Sequence, residues 1–247
     1  MNRASSSSDV ARIPAAPLIE VTGLSKRYGD QIAIKDVSFV ASAGEIVGII
    51  GPNGAGKTTL LETLAGLIPA DSGVLSGEHV AQASRRNTIF YVPDGLRPYQ
   101  DHFAADVLSF FAGVYRPSAK QISDLVGALG LESVLSKRVS ALSKGFNRRL
   151  LLALGLLSPH PVLLMDEPFD GFDLRQAREI APLLRKEVQN GRCLLLSIHQ
   201  LAEAERVCDR FILLSAGRVC GSGTLDQLRD RTRLPQGNLE EIFLALT

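Results

Sequence analysis

A glycine-rich segment between an apolar run and a helix-forming run constrains this fold more than any other feature. Residues 51–58 are Gly-Pro-Asn-Gly-Ala-Gly-Lys-Thr, which fits the pattern Gly, four residues, Gly, Lys, then Ser or Thr. The run before it, 45–50, is rich in β-branched residues and predicts a buried parallel strand, while 57–65 predicts a helix that ends at Gly66. A glycine turn from strand to helix presents backbone N–H groups beside the positive end of the helix dipole. The sequence therefore predicts a phosphate-binding loop.

The residues of this loop have separate predicted roles. We expect the Lys57 ammonium to reach the outer phosphates of a nucleotide and the Thr58 hydroxyl to contact Mg²⁺. The alternative is a glycine-rich turn with an exposed lysine. No Asn-Lys-x-Asp guanine-recognition motif is present, but the loop alone does not separate kinases, GTPases, helicases and transport ATPases. The predicted phosphate contacts are Gly51, Pro52, Asn53, Gly54, Ala55, Gly56, Lys57, Thr58 and Thr59.

Two acidic residues follow a second apolar run. Residues 162–165 predict a buried strand, and Asp166 and Glu167 come directly after it. The end of such a strand faces the phosphate loop in nucleotide-binding sheets. We expect Asp166 to hold Mg²⁺ and Glu167 to act as the general base on the attacking water. The alternative is a solvated strand end that begins a loop.

Composition narrows the class of protein. The 247 residues are 45% hydrophobic and 21% charged, which excludes a wholly disordered chain. Lys plus Arg number 27 and Asp plus Glu 26, so charge gives no reason to expect nucleic acid as a partner. Three cysteines suit a reducing compartment. With no apolar run near the ~18 residues of a membrane span, we expect a soluble cytoplasmic protein.

The order of the predicted elements indicates an α/β protein. Strand-like and helical runs alternate, which is typical of a parallel sheet, and a mostly helical stretch interrupts them. We expect a disordered tail at 1–17 and a globular domain at 18–231. Within that domain the core is 18–94 and 158–231, the helical subdomain is 95–157, and a C-terminal helical tail follows at 232–247. Predicted helices are 57–65, 104–115, 120–131, 149–157, 174–190 and 239–246; predicted strands are 18–21, 45–50, 89–92, 162–165, 193–196 and 211–214.

Taken in order, these motifs resemble the ATP-binding subunit of ABC transporters. Residues 142–146, Leu-Ser-Lys-Gly-Phe, lie where that family has its signature motif, and the resemblance runs from about Leu18 to the C-terminus. It implies a P-loop NTPase core with a parallel sheet flanked by helices, an N-terminal antiparallel β region and an inserted helical subdomain. It also implies a head-to-tail pair of subunits, in which Ser143 and Gly145 of one subunit contact the ATP bound by the other.

The resemblance assigns three further residues. His199 matches the switch histidine that contacts the γ-phosphate and helps to organise the attacking water, so that Lys57, Glu167 and His199 form the predicted catalytic set. Tyr28 matches the aromatic residue that stacks on adenine. Asp173 matches a residue that crosses the dimer interface. Read without the resemblance, a lone histidine is more often structural.

The chain departs from the family pattern at two places. Asp94 stands where the family usually has Gln; it is expected to contact ATP or Mg²⁺, the alternative being a turn residue. Lys144 and Phe146 replace the commoner Gly and Gln of the signature. Lys144 either adds a positive charge near the partner's γ-phosphate or points outward. The basic pair Arg148-Arg149 is expected on a solvated helix face.

The resemblance implies an ATP-hydrolysing motor for a two-component exporter. Its ligands are ATP and Mg²⁺, and its partners are a second copy or related subunit and a separate permease that holds it on the cytoplasmic face of the membrane. Tyr99 and Phe103 are candidate permease contacts, with burial in the helical subdomain as the alternative. Two other functions stay open: a soluble ABC-type ATPase acting on nucleic acid or ribosomes, and a scaffold that binds ATP without hydrolysing it.

Overall fold

Two β-sheets form the framework of the molecule. The structure, a computed structural model, describes residues 17–77 and 85–247. β1 begins at Pro17, and the predicted tail before it lies outside the described residues. In chain order the strands are β1 (Pro17–Tyr28), β2 (Gln31–Ser42), β3 (Ile46–Ile50), β4 (Ser72–Ser76), β5 (Ile89–Val92), β6 (Val162–Asp166), β7 (Cys193–Ile198), β8 (Arg210–Ser215) and β9 (Arg218–Gly223).

The larger sheet brings the predicted motifs to one edge. Its strand order is β5-β6-β7-β3-β8-β9, with parallel pairing except between β8 and β9. Ile50 pairs with Ile198, and Asp166 pairs with Ser197. Since β3, β7 and β6 are adjacent and parallel, the segments that follow their carboxyl ends are neighbours. Those segments are the glycine-rich loop, the residues after Ile198 and the acidic pair.

The smaller sheet is antiparallel, with strand order β2-β1-β4. Together with the parallel strands and the helices between β5 and β6, it confirms the predicted fold class. β1 is much longer than the strand predicted at 18–21, because its pairing with β2 continues through several register shifts as far as Tyr28.

Helices lie on both faces of the larger sheet. Short 3₁₀ turns at Glu132–Val134 and Val139–Ala141 lead into the helix that carries the signature residues. That helix begins at Lys144, five residues earlier than predicted, because the Ser143 hydroxyl caps it by accepting from the Phe146 N–H at 3.3 Å. The helices are α1 (Lys57–Ala65), α2 (Arg85–Thr88), α3 (Ala104–Tyr115), α4 (Ala119–Ala128), α5 (Lys144–Leu157), α6 (Leu174–Gln189), α7 (Leu201–Val207), α8 (Leu225–Thr232) and α9 (Leu239–Leu246).

The hydrophobic core has two halves, one on each face of the larger sheet. Alternate residues of a strand serve opposite halves: Ile50 packs with the helices that follow β5, whereas Ile49 packs with α1 and the smaller sheet. The C-terminal helix belongs to the first half through Leu239 and Ile242. Among the described residues, no helix combines the length and apolarity needed to cross a membrane.

Candidate nucleotide-binding site

A cleft of about 410 Å³ opens at the carboxyl edge of β3 and β6. This volume lies within the range of about 300–1,000 Å³ that is usual for ligand sites. The cleft brings together most of the predicted nucleotide and metal contacts. Its lining consists of Tyr28, Gln31, Ala33, Asn53, Gly54, Gly56, Lys57, Thr58, Thr59, Asp94, Asp166 and Glu167.

The glycine-rich loop depends on backbone shapes that only glycine adopts cheaply. Gly54 and Gly56 have φ values of +80° and +101°. A Cβ atom on Gly56 would lie 2.4 Å from the Ala33 carbonyl oxygen, and one on Gly51 would lie 2.4 Å from the Leu214 carbonyl oxygen. The loop therefore packs against β2 and β8 and leads straight into α1. The first turn of α1 carries no acidic side chain, so its N–H groups and dipole stay free to attract an anion.

Lys57 lies at the floor of this cleft and is buried. Its ammonium donates to the Gly51 carbonyl at 2.8 Å and lies 3.8 Å from the Glu167 carboxylate. A buried cation held between loop carbonyls and a carboxylate is well placed to meet phosphate oxygens above the loop. Pro52 and Asn53 line an adjoining depression of about 310 Å³ together with His199.

Asp166 is almost fully buried and accepts hydrogen bonds at both carboxylate oxygens. The Thr58 hydroxyl donates to Oδ2 at 2.7 Å, and the Ser197 hydroxyl donates to Oδ1. The Tyr91 hydroxyl lies 3.5 Å from Oδ2. Burial, followed by the negative charge of Asp166, raises the pKa of Tyr91 above its ordinary value. Asp166 and Thr58 thus place a carboxylate oxygen and a hydroxyl oxygen side by side at the cleft.

Glu167 has a strained backbone that neighbouring groups hold in place. Its φ of +50° is unusual for a residue with a side chain. The Glu167 N–H donates to the Ser197 hydroxyl oxygen at 2.9 Å and to the Ser197 carbonyl at 3.2 Å. Its carboxylate lies 2.6 Å from His199 Nδ1. With this backbone conformation, the Glu167 carboxylate contacts both Lys57 and His199.

Asp94 is on the wall of the cleft and forms an ion pair with Arg148 of α5. The expectation that Arg148 lies on a solvated helix face is wrong, because its side chain is only 3% exposed. Arg148 also donates to the Asp166 carbonyl at 3.3 Å. Arg149 is largely buried too, 3.7 Å from Glu179. A helix face can bury arginine when carboxylates and carbonyls meet its guanidinium.

Ser143, Gly145 and Asp173 do not line the cleft of their own chain. Ser143 caps α5, and Asp173 caps α6 by accepting from the Gln176 N–H at 2.8 Å. Lys144 is 64% exposed, yet its ammonium lies 2.6 Å from the Asp170 carboxylate. The hydrogen bond from Lys144 lowers the pKa of Asp170. Lys144 thus links the start of α5 to the loop that follows Glu167.

Two other predicted contacts differ in exposure, since Tyr28 is open to solvent and Ala55 is buried. Tyr28 is about half exposed at the cleft rim, with the Lys26 ammonium 5.7 Å from its ring centroid. Ala55 is buried and its N–H bonds back to the Pro52 carbonyl at 3.1 Å, so it shapes the loop. A flat exposed ring at this position leaves one face available for stacking.

Three residues of this site were not predicted from the sequence: Ser197, Tyr91 and Arg148. Ser197 had a visible signal, since it is a hydroxyl in the otherwise apolar strand 193–198, two residues before His199. Tyr91 had a weaker one, as the hydroxyl-bearing residue of the otherwise apolar strand 89–92. Arg148 had none, because its contacts depend on how α5 packs.

Comparison with known proteins agrees with this geometry. The sequence model of the ABC transporter family matches residues 34–170. The chain is 37% identical over 221 residues to the Nod factor export ATP-binding protein I of Burkholderia lata, covering 85% of this chain and 72% of that protein. It is 33% identical to the probable multidrug ABC transporter ATP-binding protein YbhF of Escherichia coli, covering 94% and 42%. A solved ATP binding subunit of an ABC transporter matches with a TM-score of 0.85 at 33% identity, covering 93% and 99%.

Proposed function

The chain belongs to the ABC transporter family of ATP-binding proteins, and from that premise we propose that it is the ATP-hydrolysing motor of an exporter. One observation carries the proposal: Lys57, Thr58, Asp166 and Glu167 line a single cleft, and His199 contacts Glu167. The relatives whose names mention export or multidrug transport favour an exporter. The cargo is left open, since those names differ.

We propose that the phosphates of ATP bind on the glycine-rich loop with Lys57 and that adenine stacks on Tyr28. The loop supplies N–H groups and the dipole of α1, and Lys57 supplies a positive charge. The predicted contacts of Gly51, Pro52, Asn53, Gly54, Ala55, Gly56, Thr58 and Thr59 belong to this same loop.

The donors around Asp166 suit Mg²⁺. A hard cation prefers oxygen ligands and commonly takes one or two carboxylates together with substrate phosphates. Within residues 17–77 and 85–247, no group of three or more His, Cys, Asp or Glu side chains could form an all-protein metal site. We propose that Thr58 and Asp166 hold the ion, which neutralises phosphate charge when it is bound.

Glu167 is proposed to accept a proton from the attacking water at its carboxylate. His199 Nδ1 and the Lys57 ammonium flank the two carboxylate oxygens, and this orients the group toward the cleft. The Glu167 N–H is held by the Ser197 hydroxyl, next to a backbone φ of +50°. The base therefore starts the reaction already positioned, which saves the cost of ordering it.

A second subunit is proposed to complete the site. Ser143 and Gly145 open α5, where N–H groups can meet a γ-phosphate, yet they do not line their own cleft. In a head-to-tail pair, each signature would face the ATP of the other copy, and Asp173 would lie at the contact. A related subunit could replace the second copy.

We propose that the permease docks on an exposed apolar patch formed by Leu96, Tyr99, Phe103 and Phe110. All four side chains are 45–56% exposed, and the Tyr99 and Phe110 ring centroids are 5.8 Å apart. Exposed apolar patches of this kind commonly mark interaction surfaces. Docking there would hold the chain on the cytoplasmic face of the membrane.

Co-purification with the permease tests this patch. Tyr99→Ala/Phe103→Ala is expected to abolish complex formation and to leave ATP binding unchanged. The control Leu67→Ala/Val74→Ala removes two exposed apolar side chains elsewhere and should keep the complex. Equal retention of the permease by both double variants would contradict the docking proposal.

Phosphate release tests the proposed hydrolysis. Glu167→Gln is expected to reduce the rate by at least about 100-fold while ATP still binds. Glu179→Gln, on α6 and outside the cleft, is the matched control and should hydrolyse ATP at the wild-type rate. Full activity of Glu167→Gln would refute the assignment of the base.

A further inference from the structure

Arg148 joins three parts of the nucleotide site that are far apart in the sequence. Its guanidinium pairs with the Asp94 carboxylate of the segment after β5 and donates to the Asp166 carbonyl at the end of β6. The arginine itself belongs to α5, in the turn after Lys144. A buried guanidinium that meets a carboxylate and a carbonyl at once is fixed in position.

Asn147, the residue before Arg148, makes a second contact between α5 and the segment after β5. Asn147 is buried and its side-chain amide donates to the Leu96 carbonyl at 2.7 Å. Two successive residues of α5 therefore hold the segment 94–96, which runs between β5 and the exposed patch at Tyr99. The helix that carries the signature is thereby attached to the wall of the cleft.

The ion pair also neutralises a negative charge on the cleft wall. Asp94 is 46% exposed and shares the cleft with Lys57 and Thr58. A free carboxylate there would repel nucleotide phosphates. At a partly exposed site such a repulsion is about 1 kcal/mol, or about fivefold in affinity. Pairing with Arg148 cancels most of this repulsion.

From these contacts we infer that Arg148 is a positioning residue for the nucleotide site and that Asp94 is its counter-ion, with no role as a metal ligand. Arg148 holds the cleft wall against α5 and neutralises the carboxylate that replaces the usual glutamine. The inference rests on the proposed binding of ATP in this cleft. It gives the departure at Asp94 and the arginine at 148 a single explanation.

Nucleotide affinity of the full chain tests the inference. The probe is trinitrophenyl-ATP, titrated in EDTA and again in excess Mg²⁺, with ATP as competitor. In EDTA, Arg148→Met is expected to raise the Kd about 5- to 10-fold by leaving Asp94 unpaired. Asp94→Asn should not raise it. The double variant Asp94→Asn/Arg148→Met should return to within about twofold of wild type, because the repelling charge is gone.

Two further variants make the result specific. Arg149→Met is the matched control: it removes the next arginine of α5, which is also largely buried but pairs with Glu179 outside the cleft, and its Kd should stay within about twofold. Arg148→Lys keeps the charge that neutralises Asp94 but loses the planar fork that meets two acceptors at once. Because the charge effect dominates in this inference, its Kd should stay within about threefold. It provides the test if Arg148→Met does not fold.

Four outcomes would overturn the inference. If Arg148→Met and Arg149→Met weaken nucleotide binding equally, Arg148 is a packing residue only. The same follows if the double variant Asp94→Asn/Arg148→Met does not recover the wild-type Kd. If Asp94→Asn raises the Kd in Mg²⁺ but not in EDTA, Asp94 is a metal ligand. Absence of probe binding to the wild-type chain would contradict the proposed function itself, and this inference with it.

Discussion

The glycine-rich loop and the start of α5 are both proposed to meet ATP phosphates, but they are held in place in different ways. The loop is fixed by backbone: Gly54 and Gly56 have positive φ values, and carbonyl oxygens leave no room for a Cβ atom at Gly51 or Gly56. The start of α5 is fixed by charge, since Lys144 pairs with Asp170 and Arg148 pairs with Asp94. The two ion pairs differ in exposure: Lys144 is 64% exposed and its pair contributes little stability, whereas the Arg148 side chain is only 3% exposed. The loop is therefore held by steric contacts, and the start of α5 by one exposed and one buried ion pair.

Gly56→Ala should give the largest effect, because its Cβ would lie 2.4 Å from the Ala33 carbonyl oxygen at a φ of +101°. ATP affinity is expected to fall at least about 100-fold and stability by about 2–4 kcal/mol. Gly54→Ala is the control in the same loop: its Cβ would meet nothing within 4 Å, so only strain of about 1 kcal/mol is expected. Calorimetric titration measures the ATP affinity of each variant, and thermal unfolding measures its stability. Equal effects would show that the loop is not held by these contacts.

Ser197→Ala should give the next largest effect on stability and hydrolysis. It removes the donor to Asp166 Oδ1 and one of the two acceptors for the Glu167 N–H. We expect a loss of about 1–3 kcal/mol in stability and of about 10- to 100-fold in hydrolysis, because the base loses its position. Ser215→Ala, at the end of β8, is the control. A hydrolysis rate unchanged in Ser197→Ala would remove this serine from the site.

The backbone strain at Glu167 predicts an inverted order of two small substitutions. At a φ of +50°, Glu167→Gly should be more stable than Glu167→Ala by about 1 kcal/mol. In an ordinary strand the order would be reversed. Urea unfolding of the two variants measures the difference. An alanine variant as stable as the glycine variant would show that the strain is absent in solution.

Lys144→Gln should have the smallest effect. The hydrogen bond from Lys144 lowers the pKa of Asp170, so the pair stabilises the fold above the unfolded-state pKa of Asp, about 3.9. This stabilisation is lost as the pH falls through the lower folded-state pKa. Because Lys144 is 64% exposed, the loss at pH 7 should be below about 1 kcal/mol. Unfolding from pH 7 down to acid pH should show the gap between variant and wild type closing. A gap independent of pH would contradict the ion pair.

The same contrast explains what could be predicted from the sequence. The helix Lys57–Ala65 and its end at Gly66 were predicted correctly, because the loop and its helix are specified by adjacent residues. Asp166 and Glu167 are at the end of a strand as expected.

Long-range contacts could not be predicted in this way. Ser197 reaches Asp166 across 31 residues and Arg148 reaches Asp94 across 54. These residues come into contact only when β6, β7 and α5 pack together. The left-handed φ of Glu167 follows from such contacts as well, since nothing in its own chemistry favours that conformation.

The molar mass of Glu167→Gln in solution, measured by light scattering with and without ATP, tests the central claim most directly. A variant that binds ATP without hydrolysing it should double its mass from the 26.6 kDa of one chain when ATP is added. Adding Lys57→Ala, which weakens ATP binding, or Ser143→Arg, which blocks the signature, should keep it monomeric. A Glu167→Gln protein that binds ATP and remains at the mass of one chain would contradict a head-to-tail pair of two copies of this chain.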